Sequence, residues 1–430
     1  MFGYAGQGRV VHDGGEAGVG EAVAGDAGGG GGAADGAVAD VVVAVEVAAA
    51  GALAVVDVEG LEVGEAADAV ELGEGGFAGE VVGARKITLF PGQSYDDISW
   101  PRRLWRQLKT LWRCDMVFVG IGYNEVDVIL LSWLLALLGV RVVVHSDSRF
   151  DDMPRRVIKE FGKALLLLPY CAAIVAERRH IDYFRFLGFT RRRVIPGYDT
   201  VGLDRIRAMG GNVLAPQGAP HAQRDFIFVG RFVEKKNLVE LIEGFALYAK
   251  AAGRNARRLV LIGSGQEEAA IRSAAATLGV APLIDFPGFL SAQEVAQRLA
   301  GGLALVLPSV EEQWGLVVNE ALAFGLPVIV SPAVGSGDAL VRNLQNGFVI
   351  ERGAPAGIAA AMQALASDEG LWRRMVDVSH QRAWLGDTER LADAVEAICF
   401  PGSASAEEAI ARLRASQACS PANARSWAGM

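Results

Sequence analysis

The sequence predicts an α/β protein of two doubly wound, Rossmann-type domains facing a cleft, the first of them incomplete. Three observations carry this expectation. Strand and helix patterns alternate over 86–205 and again over 225–398. A Gly/Pro-rich stretch, "GGNVLAPQGAPHAQ" at 210–223, separates the two runs and sets a linker at 206–224. The 430 residues are 51% hydrophobic, enough for two cores.

Residues 1–85 are different material. They carry 15 acidic and 2 basic residues, whereas the remaining 345 carry 35 acidic and 39 basic. Of the 85, 74 are Gly, Ala, Val, Asp or Glu, and none is Ser, Thr, Pro, Asn, Lys or Ile. A stretch without these residues has few means of ending a helix or making a turn. The expectation is a low-complexity segment, disordered or mistranslated. All five favoured residues have codons beginning with G, which points to a frame that does not encode this protein.

From Lys86 each element can be read in turn. "KITLFPG" is a strand and turn. "DDISWPRRLWRQLKTLWRCDMVFVG" is a helix feeding a strand. Leu104, Trp105, Leu108, Leu111 and Trp112 share one apolar face, and Arg102, Arg103, Arg106, Lys109 and Arg113 cover the rest. Such a helix packs on a sheet or lies on an anionic membrane; the strand that follows directly favours packing. A helix at 127–138, strand "VRVVVH", a helix at 154–164 and strand "AAIVA" complete the first run. The second run has strands "DFIFVG", "RLVLIG", "LIDFPG", "LALVLPS", "LPVIVS" and "GFVIE". Its helices lie near 237–252, 266–279, 291–300, 315–325 and 387–398, and a polar tail spans 399–430.

Four scattered cysteines without a C-x-x-C argue against a disulfide framework or zinc site and for a reducing compartment. The longest apolar run, Val128 to Val140, is too short for the ~20 residues of a spanning helix. No signal-peptide pattern opens the chain. Basic residues do not cluster with aromatics beyond the 100–113 helix, which excludes a nucleic-acid binder.

Ligands of doubly wound sheets bind at the carboxyl ends of strands. "FVGRFVEKKN" places Gly230 and Arg231 after one strand and Lys235 and Lys236 before the next helix. Cations at that position suit a diphosphate. "LIGSGQEE" places Gly263 and Gly265 after the next strand, equally a phosphate turn or a plain turn. "LPSVEEQWGLVVNE" places Glu312 in a loop, Gly315 at a helix start and Glu320 about a turn and a half further on. A carboxylate accepts from both hydroxyls of a vicinal diol; two of them at one junction suit two sugars.

These motifs resemble the family-4 glycosyltransferases of GT-B fold. "GRFVEKK" matches their G-R-x-x-x-x-K, and Glu312 with Glu320 matches their E-x7-E, with Trp314 where Phe is usual before Gly315. The following "SPAVGSGDALVRNLQNGFVI" is similar to the family's next segment, with Gly335-Ser336 for a common Gly-Gly. The resemblance covers roughly 86–400. It implies a retaining, metal-independent transfer of a sugar from a nucleotide-diphosphate sugar, in cell-envelope or exopolysaccharide glycan synthesis. It implies no cofactor, and a glycan or lipid-linked acceptor. The donor would be held by Gly230, Arg231, Lys236, Gly263, Gly315, Leu316 and Glu320, with Glu320 on the ribose. Glu312 would meet the transferred sugar. His145, after a strand where members often carry a His, is a second catalytic candidate, though a strand-end His is more often structural. The implied location is cytoplasmic, with peripheral contact to the inner face of the membrane.

The departures lie at the front. Nothing in 1–85 matches the family's opening strand and Gly-rich loop, and about 120 residues is short for its first domain. The alternative is a non-catalytic nucleotide-sugar-binding or membrane-surface protein derived by loss of the first βα units. A metal-dependent reading would use Asp147, Asp151 and Asp152, but no strand-Asp-x-Asp pattern supports it.

Overall fold

A computed structural model describes residues 41–42, 45–47, 52–54, 86–90, 97–120, 125–151 and 155–418. Three short strands, β1 (Val41–Val42), β2 (Val45–Val47) and β3 (Ala52–Ala54), fall within the first 85 residues, where sequence patterning places none. The rest of that segment lies outside the described residues. β4 (Lys86–Thr88) pairs antiparallel with β3, and β3 with β2. "KITLFPG" therefore contributes to a small antiparallel sheet and not to the parallel one.

The first parallel sheet contains β5 (Met116–Val119), β6 (Arg141–Ser146), β7 (Tyr170–Val175) and β8 (Arg193–Pro196), with β1 beside β5, in the order β1-β5-β6-β7-β8. Helices α1 (Trp100–Leu111), α2 (Val126–Leu137), α3 (Val157–Leu166) and α4 (Arg178–Phe186) alternate with these strands. β5 to β8 stand side by side in chain order, so right-handed crossovers put α2, α3 and α4 on one face. α1 packs on α2 in the same layer.

The α1 face predicted as apolar is only partly turned inward. Leu111 is buried and Leu104 and Leu108 half-buried, but Trp105 and Trp112 are 68% and 46% exposed. Arg103 and Gln107 are buried instead. The cause is Asp127 on α2, wholly buried, which accepts from Arg103 Nη2 at 2.7 Å and Nε at 3.0 Å. A buried carboxylate needs such a fork, and α1 rotates to supply it.

α5 (Leu203–Met209) leads into the second domain. Its sheet is wholly parallel, with β9 (Asp225–Val229), β10 (Leu259–Ile262), β11 (Ile284–Gly288), β12 (Gly302–Leu307), β13 (Val328–Val330) and β14 (Gly347–Val349) in the order β11-β10-β9-β12-β13-β14. The order reverses between β9 and β12, so their carboxyl ends flank the switch point. The helices are α6 (Leu238–Ala252), α7 (Glu268–Thr277), α8 (Ala292–Ala300), α9 (Val317–Ala323), α10 (Gly335–Leu340), α11 (Pro355–Ser367) and α12 (Glu369–Ala383).

Two boundaries differ from expectation. The stretch read as a linker is packed: α5 occupies its start, and the buried Arg224 guanidinium donates to the carbonyls of Ala219, Ala300 and Gly302. The chain's end is not a polar tail. α13 (Glu389–Cys399) crosses back to the first domain, where Ala394, Ile398 and Cys399 cover Met116, Phe118, Val143 and Ile174. α14 (Ala404–Ala418) packs on α13 and buries Ala406, Ala409 and Leu413. The second face of the first sheet is apolar, and these helices keep it from water. The two crossings between domains pair with each other: Val201 N–H donates to Gly386 O at 2.9 Å and Thr388 N–H to Val201 O at 3.2 Å.

Candidate functional site at the switch point

The loops after β9 and β12 meet. Val310 N–H donates to Lys235 O at 2.8 Å, which ties the backbones together. Lys236 Nζ then forms an ion pair with Glu312 Oε2, both side chains largely buried. Ser309 Oγ donates to the same oxygen at 3.3 Å. The structure thus unites Lys236 and Glu312. Arg231 lies exposed in the β9 loop.

Glycines permit this approach. Gly263 has φ +134°, and a Cβ there would overlap the Gly230 carbonyl oxygen. The two strand-end loops touch backbone to backbone, so Gly263 has a packing reason to be glycine, as a plain turn would. Gly315 has φ +91°, and its Cβ would stand 3.2 Å from Glu312 Cγ and 3.1 Å from Leu307 Cδ2. Leu316 opens α9.

Glu320, on α9, is half-buried, and among the described residues its carboxyl has no hydrogen-bond or ion-pair partner. Burial pushes its pKa up to about 7. A carboxyl held from water with nothing to bond is poised for a hydrogen-bond donor. Trp314 is structural: its indole Nε1–H donates to Asn319 Oδ1 at 3.0 Å, and Asn319 Nδ2 donates to Asp199 O and Gly386 O in the crossing segments.

His145 is placed differently. It is buried near the end of β6, between Phe118 and Tyr198 with ring centroids 5.4 Å away on each side. Its Nε2 has no hydrogen-bond partner. Burial pulls its imidazole down to about 4. No hydrogen bond joins it to Glu312 or Glu320.

Sequence reasoning missed Arg149. From the loop after β6 this buried side chain crosses to the second domain, where Nη2 donates to Glu312 O at 3.1 Å and also to Ala333 O. Glu312 O also accepts from Gly335 N–H at 3.2 Å. Nearby, Arg179 bridges Asp151 at 2.9 Å and Asp338 at 3.0 Å, and the buried His180 ring stands 5.9 Å from Trp314. "HSDSRFDD" held a signal only in its density of charge after a strand. Asp151 of the metal-ligand reading is engaged by arginines, and Asp152 lies outside the described residues. Among the described residues no three His, Cys, Asp or Glu side chains are grouped to hold a metal ion.

Comparison with known proteins agrees with this geometry. Residues 213–382 match the family of glycosyl transferases group 1. An uncharacterized glycosyltransferase of Methanocaldococcus jannaschii is 29% identical over 172 residues, 39% of this chain and 43% of that protein. A lipopolysaccharide core biosynthesis glycosyltransferase of Rhizobium meliloti is 29% identical over 197 residues, 45% of this chain and 54% of that protein. The chain spans about half the length of the curated relatives it matches. Among solved structures, Anabaena HepE in complex with UDP superposes with TM-score 0.56 at 16% identity, over 68% of this chain and 81% of that one. The pneumococcal O-GlcNAc transferase GtfA, in complex with UDP and GlcNAc, gives TM-score 0.56 at 16% identity, over 76% and 64%. With its group 1 segment, these relatives and a GT-B-like architecture, the chain resembles the family-4 glycosyltransferases.

Proposed function

We propose that the chain is a retaining glycosyltransferase that moves a sugar from a nucleotide-diphosphate sugar to a glycan or lipid-linked acceptor on the cytoplasmic side of the membrane. The observation that carries this is the Lys236–Glu312 pair, which joins the two loops flanking one switch point, with the unpartnered Glu320 carboxyl on α9, the helix that follows the Glu312 loop. In this reading Glu320 accepts from the ribose diol. Arg231 and Lys236 hold the diphosphate and stabilise the charge it gains as it leaves. Glu312, freed as Lys236 turns to phosphate, faces the positive charge that develops at the anomeric carbon. Arg149 holds the Glu312 backbone in place from the opposite domain. The reaction uses no metal and no organic cofactor.

The test is to incubate the full chain with a panel of nucleotide sugars, with and without EDTA. Nucleoside diphosphate release and anomeric configuration are then followed by NMR. Retention of configuration, unchanged by EDTA, is expected. Donor binding without transfer or hydrolysis would instead favour a binding protein derived from a transferase.

A further inference from the structure

The chain crosses between the domains at 197–202, from β8 to α5, and returns at 384–388, from α12 to α13. One side chain of the second domain is built into the place where these crossings pair. Asn319, on α9, is 1% exposed. Its Nδ2 donates to Asp199 O at 3.0 Å on the first crossing and to Gly386 O at 3.2 Å on the second. Gly386 O is also the acceptor of the Val201 N–H, so the Asn319 amide is part of the junction itself. Its Oδ1 accepts from the Trp314 indole at 3.0 Å. Both amide hydrogens and the carbonyl oxygen are thereby engaged.

The crossings are shaped around this amide. A Cβ on Gly386 would stand 2.6 Å from Asn319 Nδ2 and 3.0 Å from its Cγ, so glycine lets the two come together. Asp199 has φ +58°, a conformation that Asp and Asn tolerate better than other side chains. The inward neighbours of Asn319 on α9 are Val318, Ala321 and Leu322, all fully buried. A leucine at 319 would serve packing alone. A buried amide costs desolvation unless its bonds are made, so it favours the one arrangement of the crossings that makes them. Asn319 also stands beside the site: Glu320 is the next residue, and Trp314 lies in the loop of Glu312 and 5.9 Å from the His180 ring of the first domain.

We propose that Asn319 is a positioning residue, which holds the second-domain site in register with the first domain through both crossings and touches neither donor nor acceptor. This rests on the function proposed above. α9 keeps its place without the amide, because its apolar side chains are set in the second core. Nucleotide binding by the second domain is then indifferent to Asn319. The reaction is not, because it takes place in the cleft, where Arg149 of the first domain reaches the Glu312 backbone.

The test uses the full chain and Asn319→Leu, which keeps the branched shape and removes the three bonds. Titration calorimetry with UDP, GDP and ADP gives nucleotide affinity. Diphosphate release from UDP-glucose, GDP-mannose and ADP-glucose gives kcat. Hydrogen exchange read by mass spectrometry follows the crossings, with β9 and β12 as reference. Nucleotide Kd should stay within about twofold while kcat falls about ten- to a hundredfold, the scale of a small misplacement remote from the chemistry. Both crossings should exchange faster, with β9 and β12 unchanged. If Asn319→Leu does not fold, Asn319→Asp is read in the same way, since it keeps the bond from Trp314 and sets a carboxylate against the two carbonyl oxygens. The proposal is overturned if kcat is unchanged, if kcat and nucleotide affinity fall together, or if the crossings exchange as in wild type. A wild type that releases no diphosphate would remove the proposed function. Exchange alone then decides for Asn319: faster exchange at both crossings supports its hold on the register, and unchanged exchange overturns it.

Discussion

Lys236 and Glu312, 76 residues apart in sequence, form an ion pair across the point where the second sheet reverses its strand order. Each comes from a different one of the two loops that define the switch point. Their contact makes the G-R-x4-K and E-x7-E motifs one physical unit. In urea unfolding of Lys236→Met, Glu312→Gln and the double variant, the pair should show a coupling energy of about 0.5–3 kcal/mol. Strict additivity would mean that the pair contributes nothing in solution.

Glu320 sets a pH dependence. With its pKa raised to about 7 by burial, it binds a proton in the folded, ligand-free protein at pH values where the unfolded chain has lost it. Its contribution to stability is full below the ordinary carboxyl range and is lost as pH rises through about 7. A ribose diol donates to the ionised form, so affinity for a nucleoside diphosphate should rise with pH between about 5 and 8. Titration calorimetry at several pH values checks this. In Glu320→Gln that rise should disappear; a wild-type slope in the variant would remove Glu320 from the ribose.

Arg149 connects the domains through the Glu312 carbonyl. Removing it loosens the Glu312 backbone, which keeps its bond from Gly335 N–H, without touching Lys236 or Glu320. Arg149→Met should lower kcat about tenfold, the effect of ~1.4 kcal/mol in the transition state. Nucleoside diphosphate Kd should stay within about twofold. Arg149→Lys should restore part of kcat, because both carbonyls accept from the single nitrogen Nη2 and an ammonium can also donate to two acceptors. Equal losses of kcat and nucleotide affinity would mark a general loss of structure.

His145 and His180 give an acid limit to stability. Burial pulls both imidazoles down to about 4, and for His180 the nearby Arg149 adds to the effect. The unfolded chain takes up these protons near pH 6.5, the folded one only near 4. Stability should therefore fall as pH drops from about 6.5 to 4. Melting curves across this window should show the fall reduced in His145→Phe. An unchanged pH profile in that variant would mean that the ring is not buried neutral.

Much of the second domain was legible because its parallel strands are continuous apolar runs flanked by Gly or Pro, as "VIV" of β13 and "LALVL" of β12 show. The candidate site was legible for the same reason: Lys236, Glu312 and Glu320 follow such strands at short, motif-like distances. Helix α11 was not, because "AGIAAAMQALAS" is apolar almost all round and gives no clear face. α13 was assigned to the wrong domain because nothing local records that its Ala394 and Ile398 meet Phe118 and Val143, more than 240 residues earlier. Arg149 was invisible because its partners are backbone carbonyls, which no side-chain pattern encodes. The α1 face was misread because periodicity does not know that Asp127 will need Arg103.

The central claim is that the switch-point site formed by the Arg231, Lys236 and Glu312 loops and by Glu320 on α9 binds a nucleotide sugar, its diphosphate held by Arg231 and Lys236. Titration calorimetry of the full chain with a set of nucleoside diphosphates, repeated on Arg231→Ala and Lys236→Ala, tests it most directly. One diphosphate should bind the wild type, and each substitution should weaken it by about 1.5–3 kcal/mol, roughly ten- to a hundredfold, with the fold intact. Binding of no nucleoside diphosphate, or an affinity that neither substitution changes, would contradict the account.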